Sequence, residues 1–313
     1  MDQKNINHKS EILFLYETSY NIPNGDPFTG EQRYDEETKR ILVSDVRMKR
    51  FTRDYLAAKG ETIYVIGDTS HAEGGESGSA ARLKTLQSEA KAELAAIKKD
   101  KKFSPASFVM KRCIDVRLFG GISTAKGDAI NMTGPVQFAL LNPSLNEVNL
   151  RMHQNTSVFT SSTDNSQGSI GTTTLVPYSL IQIQGWLNSK VAEKTGMTED
   201  DLKAMFEGLW YGTSGEGSSH SRSKIGQNSI LMLEVVYAEA NKKIYGLNRL
   251  IQLKPNEGKK GEEIRSMDDY TLNFNKLIEV ASSEKVSHIN YYTEIIEIEK
   301  HFSDNPKFKK LIL

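Results

Sequence analysis

The run NIPNGDPFTGEQRYDEETKRILVSDVRMKRFTRDYL at residues 21–56 constrains the fold most, because it dictates a loop and a helix side by side. It follows EILFLYETSY at 11–20, which reads as a strand with mixed burial. Pro23, Asn24, Gly25, Asp26 and Pro27 then gather residue types that break both helix and strand, so the chain must turn. Ser44 and Asp45 stand where a helix N-cap belongs, just ahead of a periodic pattern. At about 100° per residue, Met48, Phe51 and Tyr55 share one face while Lys49, Arg50 and Arg53 fall roughly opposite. A strand, a polar loop and a helix with a basic outer stripe make a cradle for a phosphate backbone. Lys49, Arg50 and Arg53 would contact phosphates, with Asn24 and the Gly25 backbone lining the adjacent turn. An ordinary solvated helix face has the same pattern, and the residues alone leave both readings open.

Beyond this run, TIYVI at 62–66 is β-branched and aromatic and is expected to be a strand. The Gly/Ser/Glu stretch at 67–81 reads as a loop, and RLKTLQSEAKAELAAIKK at 82–99 as a charged helix with few large apolar residues. Together they look like an insertion projecting from the core. Residues 104–119 are expected to form one helix, capped by Ser104 with Pro105 at its first position and ended by Gly120 and Gly121. The segment 151–177 is dense in Ser, Thr, Asn and Gln, with turn residues at Asp164, Asn165 and Gly168. A polar β-hairpin and an irregular loop fit it equally. A strand at 178–187, a helix near 198–211 capped by Thr198, a Gly-rich loop at 212–228, paired strands at 229–238 and 244–253, and a largely helical 267–303 complete the reading. There is no internal repeat.

Composition sets outer limits. The 313 residues can bury a substantial core as one large domain or two small ones. No run of 18 apolar residues exists, so no membrane span is expected, and the polar start MDQKNINHKSE lacks an apolar signal core. The single cysteine, Cys113, has no internal partner for a disulfide, which suits a reducing cytoplasm. Forty basic and forty acidic residues cancel, whereas nucleic-acid binders are usually basic. That balance argues against indiscriminate phosphate binding yet permits a local groove, since charges act over about 8 Å in cellular salt.

Three blocks in order carry a resemblance. The turn PNGDP with VSDVRMKRFTRDYL, then MKRCIDVRLFGG at 110–121 followed by GPVQFALLNPS at 134–144, then TLVPYSLIQIQGWLN at 174–188, resemble the backbone subunit of type I CRISPR surveillance complexes (Cascade), within the RAMP superfamily. The match is nearest subtype I-B, with I-C next, and spans about the first two-thirds of the chain. The resemblance implies an α+β fold with an RRM-like (ferredoxin-like β-α-β-β-α-β) core over residues 1–313, a single palm domain. It further implies a helical insertion, the fingers, at about 67–105, and a protruding β-hairpin thumb at about 151–177. The implied function is non-enzymatic: the subunit binds CRISPR guide RNA (crRNA) and polymerises along the spacer. Its partners would be further copies of itself, other Cascade subunits, and target DNA through the guide, with no membrane, metal or cofactor, in the cytoplasm.

Other candidates carry lesser signals. In the 212–228 loop, glycines permit close backbone approach, and Ser218, Ser219, His220, Arg222 and Lys224 offer donors, although a plain connector fits too. No Gly-Lys-Ser/Thr ending makes it a P-loop. Arg117 and Lys126 flank the double glycine, and Arg117 is expected to pair with Asp115 or to cap the helix end. Phe159 and Ile170 either wedge into stacked bases or staple the hairpin. The six histidines, at 8, 71, 153, 220, 288 and 301, show no metal-ligand spacing. Related type III backbone proteins cut RNA with a loop aspartate. Asp26, Asp35 and Asp45 are the residues to weigh for that alternative, a metal-dependent endoribonuclease, and none matches the role.

Overall fold

The computed structural model describes residues 4–66, 78–91, 104–123, 130–156, 170–215 and 222–313. In chain order the elements are β1 (Ser10–Asn21), β2 (Tyr34–Asp35), β3 (Arg40–Ser44), α1 (Asp45–Ala58), α2 (Ser79–Glu89), α3 (Pro105–Arg112), α4 (Ile114–Phe119), β4 (Gly120–Ser123), β5 (Ile130–Thr133), β6 (Val136–Phe138) and β7 (Leu141–Pro143). There follow β8 (Arg151–Thr156), β9 (Ile170–Leu187), α5 (Ser189–Thr195), α6 (Glu199–Ser214), β10 (Gln227–Tyr237), β11 (Gln252–Pro255), β12 (Tyr270–Asn273), α7 (Asn275–Ala281), β13 (Val286–Tyr292), α8 (Ile296–Glu299) and β14 (Phe308–Lys310). The main sheet runs β14-β13-β10-β1-β9-β6, with β8 on the projecting part of β9. Its pairs are antiparallel except β13 with β14. The four strands β10-β1-β9-β6 are visited in the chain order β1, α1, β6, β9, α6, β10.

The sequence of β1 explains its central place. Side chains alternate faces along a strand, so a continuous ILFLY run suits a strand buried on both sides. Ile12, Phe14 and Tyr16 face one core, shared with α1 and α6, while Leu13 and Leu15 face a second, shared with residues 244–308. Both broad faces of the sheet centre are therefore covered. On the first face α1 lies directly against α6. Gly208 and Gly212 permit the approach, because a Cβ at 212 would sit 2.6 Å from the Phe51 carbonyl oxygen. Thr198 caps α6 reciprocally with Asp201, and Ser104 caps α3 with Ser107, with Pro105 at the first turn.

Several expectations need correction. Residues 62–66 form no strand. Ile63 and Tyr64 are buried, and the Tyr64 and Val65 N–H groups donate to the Asp115 carboxylate (2.8 and 3.0 Å), which pins a turn instead. The expected helix 104–119 breaks at the extended Cys113, and Gly120 (φ 81°) ends its second half. The expected 82–99 helix is described only as far as α2. Residues 244–253 do not pair with 229–238: β10 lies between β1 and β13, and the later segment contributes β11, which pairs with β12. Nor is 267–303 largely helical, since β12 and β13 occupy much of it. Residues 151–156 and 170–175 do pair, from Arg151–Leu175 to Thr156–Ile170. The intervening residues, Phe159 among them, lie outside the described residues.

Candidate nucleic-acid interface

The loop after β1 is built by its own side chains. Asn24 is 8% exposed: its N–H donates to Gln32 Oε1 (2.9 Å), its Oδ1 accepts from the Ser44 N–H (2.7 Å), and its carbonyl accepts from the Arg33 N–H (3.1 Å). Gly25 bridges to Gln32. Asp26 accepts from the Phe28 N–H (2.9 Å) and pairs with Arg33 (3.2 Å), and the bond from Phe28 is the main cause holding its carboxyl below the usual range. Asp35 accepts from the Thr38 hydroxyl (2.6 Å), and Asp45 from Lys49 (2.9 Å). All three aspartates suggested for cleavage thus have local structural partners. Among the described residues no group of three or more His, Cys, Asp or Glu is placed to hold a metal ion.

Helix α1 has the expected apolar face, with Met48, Phe51 and Tyr55 buried. Its expected basic stripe is engaged in ion pairs, with the Arg50 side chain still 43% exposed. Lys49 meets Asp45, and Arg50 meets Asp54 at 2.7 Å. Arg53, with its side chain 11% exposed, donates through Nε to the fully buried Asp115 at 3.0 Å. Arg117 pairs with Asp201 instead of Asp115, at 2.9 and 2.8 Å, and caps α3 by donating to the Met110 and Lys111 carbonyls. Each of these cations thus has a carboxylate partner within the fold.

The exception on α1 is Arg47, which sequence reasoning passed over. It lies beside Phe51 on the helical wheel, and its guanidinium sits 4.0 Å from that ring. Burial lowers its pKa, and its Nε and Nη2 have no hydrogen-bond partner among the described residues. Tyr16 Oη, which interacts electrostatically with Arg47, Thr213 Oγ1 and Gln227 Oε1 are also buried without a hydrogen-bond partner among the described residues. The second cation is Lys224, whose Nζ donates to the Ile22 carbonyl. Burial, with Arg47 adding to it, pushes its pKa down to about 8. Neither cation has a carboxylate within ion-pair distance among the described residues. Uncompensated buried charge is costly, so two neighbouring cations favour an anion between or above them. A wheel would have found Arg47 only if cations flanking the apolar face were weighed above those opposite it.

The position suits a ligand. Both faces of the sheet centre are covered, but β1 ends and β10 begins here, next to the start of α1. The turn Arg222–Lys224 is fastened to the end of β1: Ser19 N–H donates to the Gly226 carbonyl (2.9 Å) and Ile22 N–H to that of Ser223 (3.0 Å). Gly226 (φ +91°) makes this approach possible, since a Cβ would lie 2.7 Å from the Ser19 oxygen. The structure thus places Lys224 against the end of β1, beside the start of the loop. Arg222 opens the same turn. Ser218, Ser219, His220 and Lys126 lie outside the described residues.

This α+β architecture has known counterparts. The sequence profile of the family CRISPR-associated protein Cas7 matches residues 8–275. CRISPR-associated protein Cas7 of Haloferax volcanii is 29% identical over 292 residues, covering 87% of this chain and 82% of that protein. The fold resembles a chain of a CRISPR RNA-guided surveillance complex (pre-nicking), with a TM-score of 0.52 and 13% identity over 92% of this chain and 93% of the other. A chain of another CRISPR RNA-guided surveillance complex gives a TM-score of 0.50 and 14% identity over 92% and 90%. The chain belongs to the Cas7 family of CRISPR-associated proteins. No helix among the described residues is long and apolar enough to cross a membrane.

Proposed function

We propose that this chain is a non-enzymatic backbone subunit of a type I, subtype I-B-like, Cascade that grips guide RNA by its phosphates. Copies polymerise along the spacer with other Cascade subunits, and exposed bases pair with target DNA, so base pairing supplies the sequence specificity. The β10-β1-β9-β6 unit is read as the RRM-like, β-α-β-β-α-β palm of the RAMP class. The fingers are read at about 67–105, of which 67–77 and 92–103 lie outside the described residues, and the β8–β9 pair as the base of a thumb over the next copy. The complex works in the cytoplasm. Family membership supports this reading, as does the likeness to chains of RNA-guided complexes. The observation that carries it is the pair Arg47 and Lys224, which have no carboxylate partner among the described residues of a chain of zero formal net charge. The Asn24–Gly25 turn and the cations Lys49, Arg50 and Arg53 shape the cradle around that pair.

The test is single-stranded RNA binding by Arg47→Gln, Lys224→Gln and the double variant, beside Lys49→Gln and Arg50→Gln. The reading expects the double variant to lose affinity about equally for unrelated sequences, with a salt dependence shallower by roughly 0.7 per lost phosphate contact. Unchanged affinity and slope would contradict it.

A further inference from the structure

We propose that Tyr20, backed by Ile225, is a stacking platform for one unpaired base of a single-stranded nucleic acid, beside the Arg47–Lys224 cation pair. The inference rests on the reading above and adds a base contact to it.

The backbone is the first observation. Tyr20 has φ +48°, one of two non-glycine residues in the left-handed region among those described. Such a conformation is uncommon for a bulky residue, and it persists only where neighbours impose it. Here they do. The β1–β9 register passes from Ser19–Tyr178 to Asn21–Val176, so the position across from Tyr20 is Pro177, which has no N–H to give the ladder. Ser19 and Ile22 are fastened to Gly226 and Ser223, and the Asn21 side-chain amide donates to the Ile225 carbonyl (2.7 Å). Asn21 Oδ1 in turn accepts from the Thr18 hydroxyl.

Display is the second observation. This frame leaves the tyrosine 63% exposed, and Ile225, whose carbonyl is held by the neighbouring Asn21, is 69% exposed. An aromatic ring held out by a strained and heavily braced backbone adds nothing to the core. Charge complementarity selects the occupant. Lys224 precedes Ile225 and reaches the carbonyl of Ile22, two residues past Tyr20, and Arg47 adds to the charge around it. An aromatic face near two cations that lack a carboxylate partner among the described residues matches a nucleotide, with the base on the ring and the phosphate on the cations. It does not match a purely apolar peptide.

The experiment compares wild type, Tyr20→Phe, Tyr20→Ala and Tyr20→Gly on single-stranded RNA and on an abasic ribose-phosphate oligomer of equal length. We expect Tyr20→Ala to weaken RNA binding about tenfold, in line with one lost stack, and Tyr20→Phe to stay within about twofold. On the abasic oligomer all variants should bind alike. Tyr20→Gly should relieve the left-handed strain and raise Tm while weakening RNA binding as much as alanine does, a combination that a purely structural tyrosine would not give. Equal RNA affinity of Tyr20→Ala and wild type would overturn the platform alone. Equal losses on RNA and on the abasic oligomer would also overturn it. Wild type failing to bind RNA would overturn both the platform and the proposed function.

Discussion

The cations of α1 divide into two groups that a helical wheel barely separates. Lys49, Arg50 and Arg53, on the side taken for solvent, each meet a carboxylate. Arg47, on the flank of the apolar face, meets none among the described residues, and neither does Lys224, whose charge it influences. The difference shows that angular position on a helix reports proximity to solvent, whereas pairing depends on where acids stand, one turn away on the same helix for Lys49 and Arg50 and on a distant segment for Arg53. Asp115, which closes off Arg53, is 62 residues away in sequence. One group should behave as stability residues and the other as binding residues.

The largest effect is expected at Asp115→Asn. Its carboxylate is fully buried and serves Arg53, Tyr64 and Val65. Breaking a buried pair of this kind costs about 3–5 kcal/mol, to be read in urea denaturation, with RNA affinity per folded molecule unchanged. Next is Arg47→Met with Lys224→Met. Replacing unpaired, half-buried charge by apolar volume should leave Tm equal or higher, while RNA affinity falls about 10- to 100-fold. If Tm dropped as in Asp115→Asn, the two groups would not be distinct.

A pH effect of intermediate size follows from Lys224. Its folded pKa of about 8 lies below the ordinary lysine value, chiefly through burial. Between about pH 8 and the ordinary value the unfolded chain binds more protons at this group, so stability of the free protein should rise with pH there. RNA affinity should fall severalfold over the same window, because the ammonium is lost. Lys224→Arg should flatten both trends, as titration of the two proteins against the same RNA will show. The smallest effect is expected at Lys49→Gln, which removes one half-buried i,i+4 pair. Stability should change by about 0.5 kcal/mol or less and RNA affinity by less than about threefold. A larger loss of affinity would move Lys49 into the binding group.

What was legible in the sequence follows from the range of the interactions. The first strand, the extent of α1 and the caps at Ser104 and Thr198 depend on neighbours a few residues away, and the structure has them. Ser44 holds its cap position without a side-chain cap bond, and its N–H goes to Asn24 instead. The failures are the segments whose partners are distant. TIYVI is claimed by Asp115, and the strands of 267–303 exist because Val286–Tyr292 finds β10 and Tyr270–Asn273 finds β11. The site was half legible for the same reason. The loop, the helix and Lys224 were named from sequence, and the Lys49–Asp45 and Arg50–Asp54 pairs are i,i+4 and legible there, but the Arg53–Asp115 pair and the approach of Lys224 to the end of β1 are tertiary.

The most direct test of the central claim is the affinity of the intact protein for two single-stranded RNAs of unrelated sequence across a salt series, with sizing of the product. The account predicts similar affinities, a log–log salt slope of roughly −0.7 per phosphate contact, and particles that grow with RNA length. Absence of binding, a marked preference for one sequence, or a single copy on RNA of any length would contradict it.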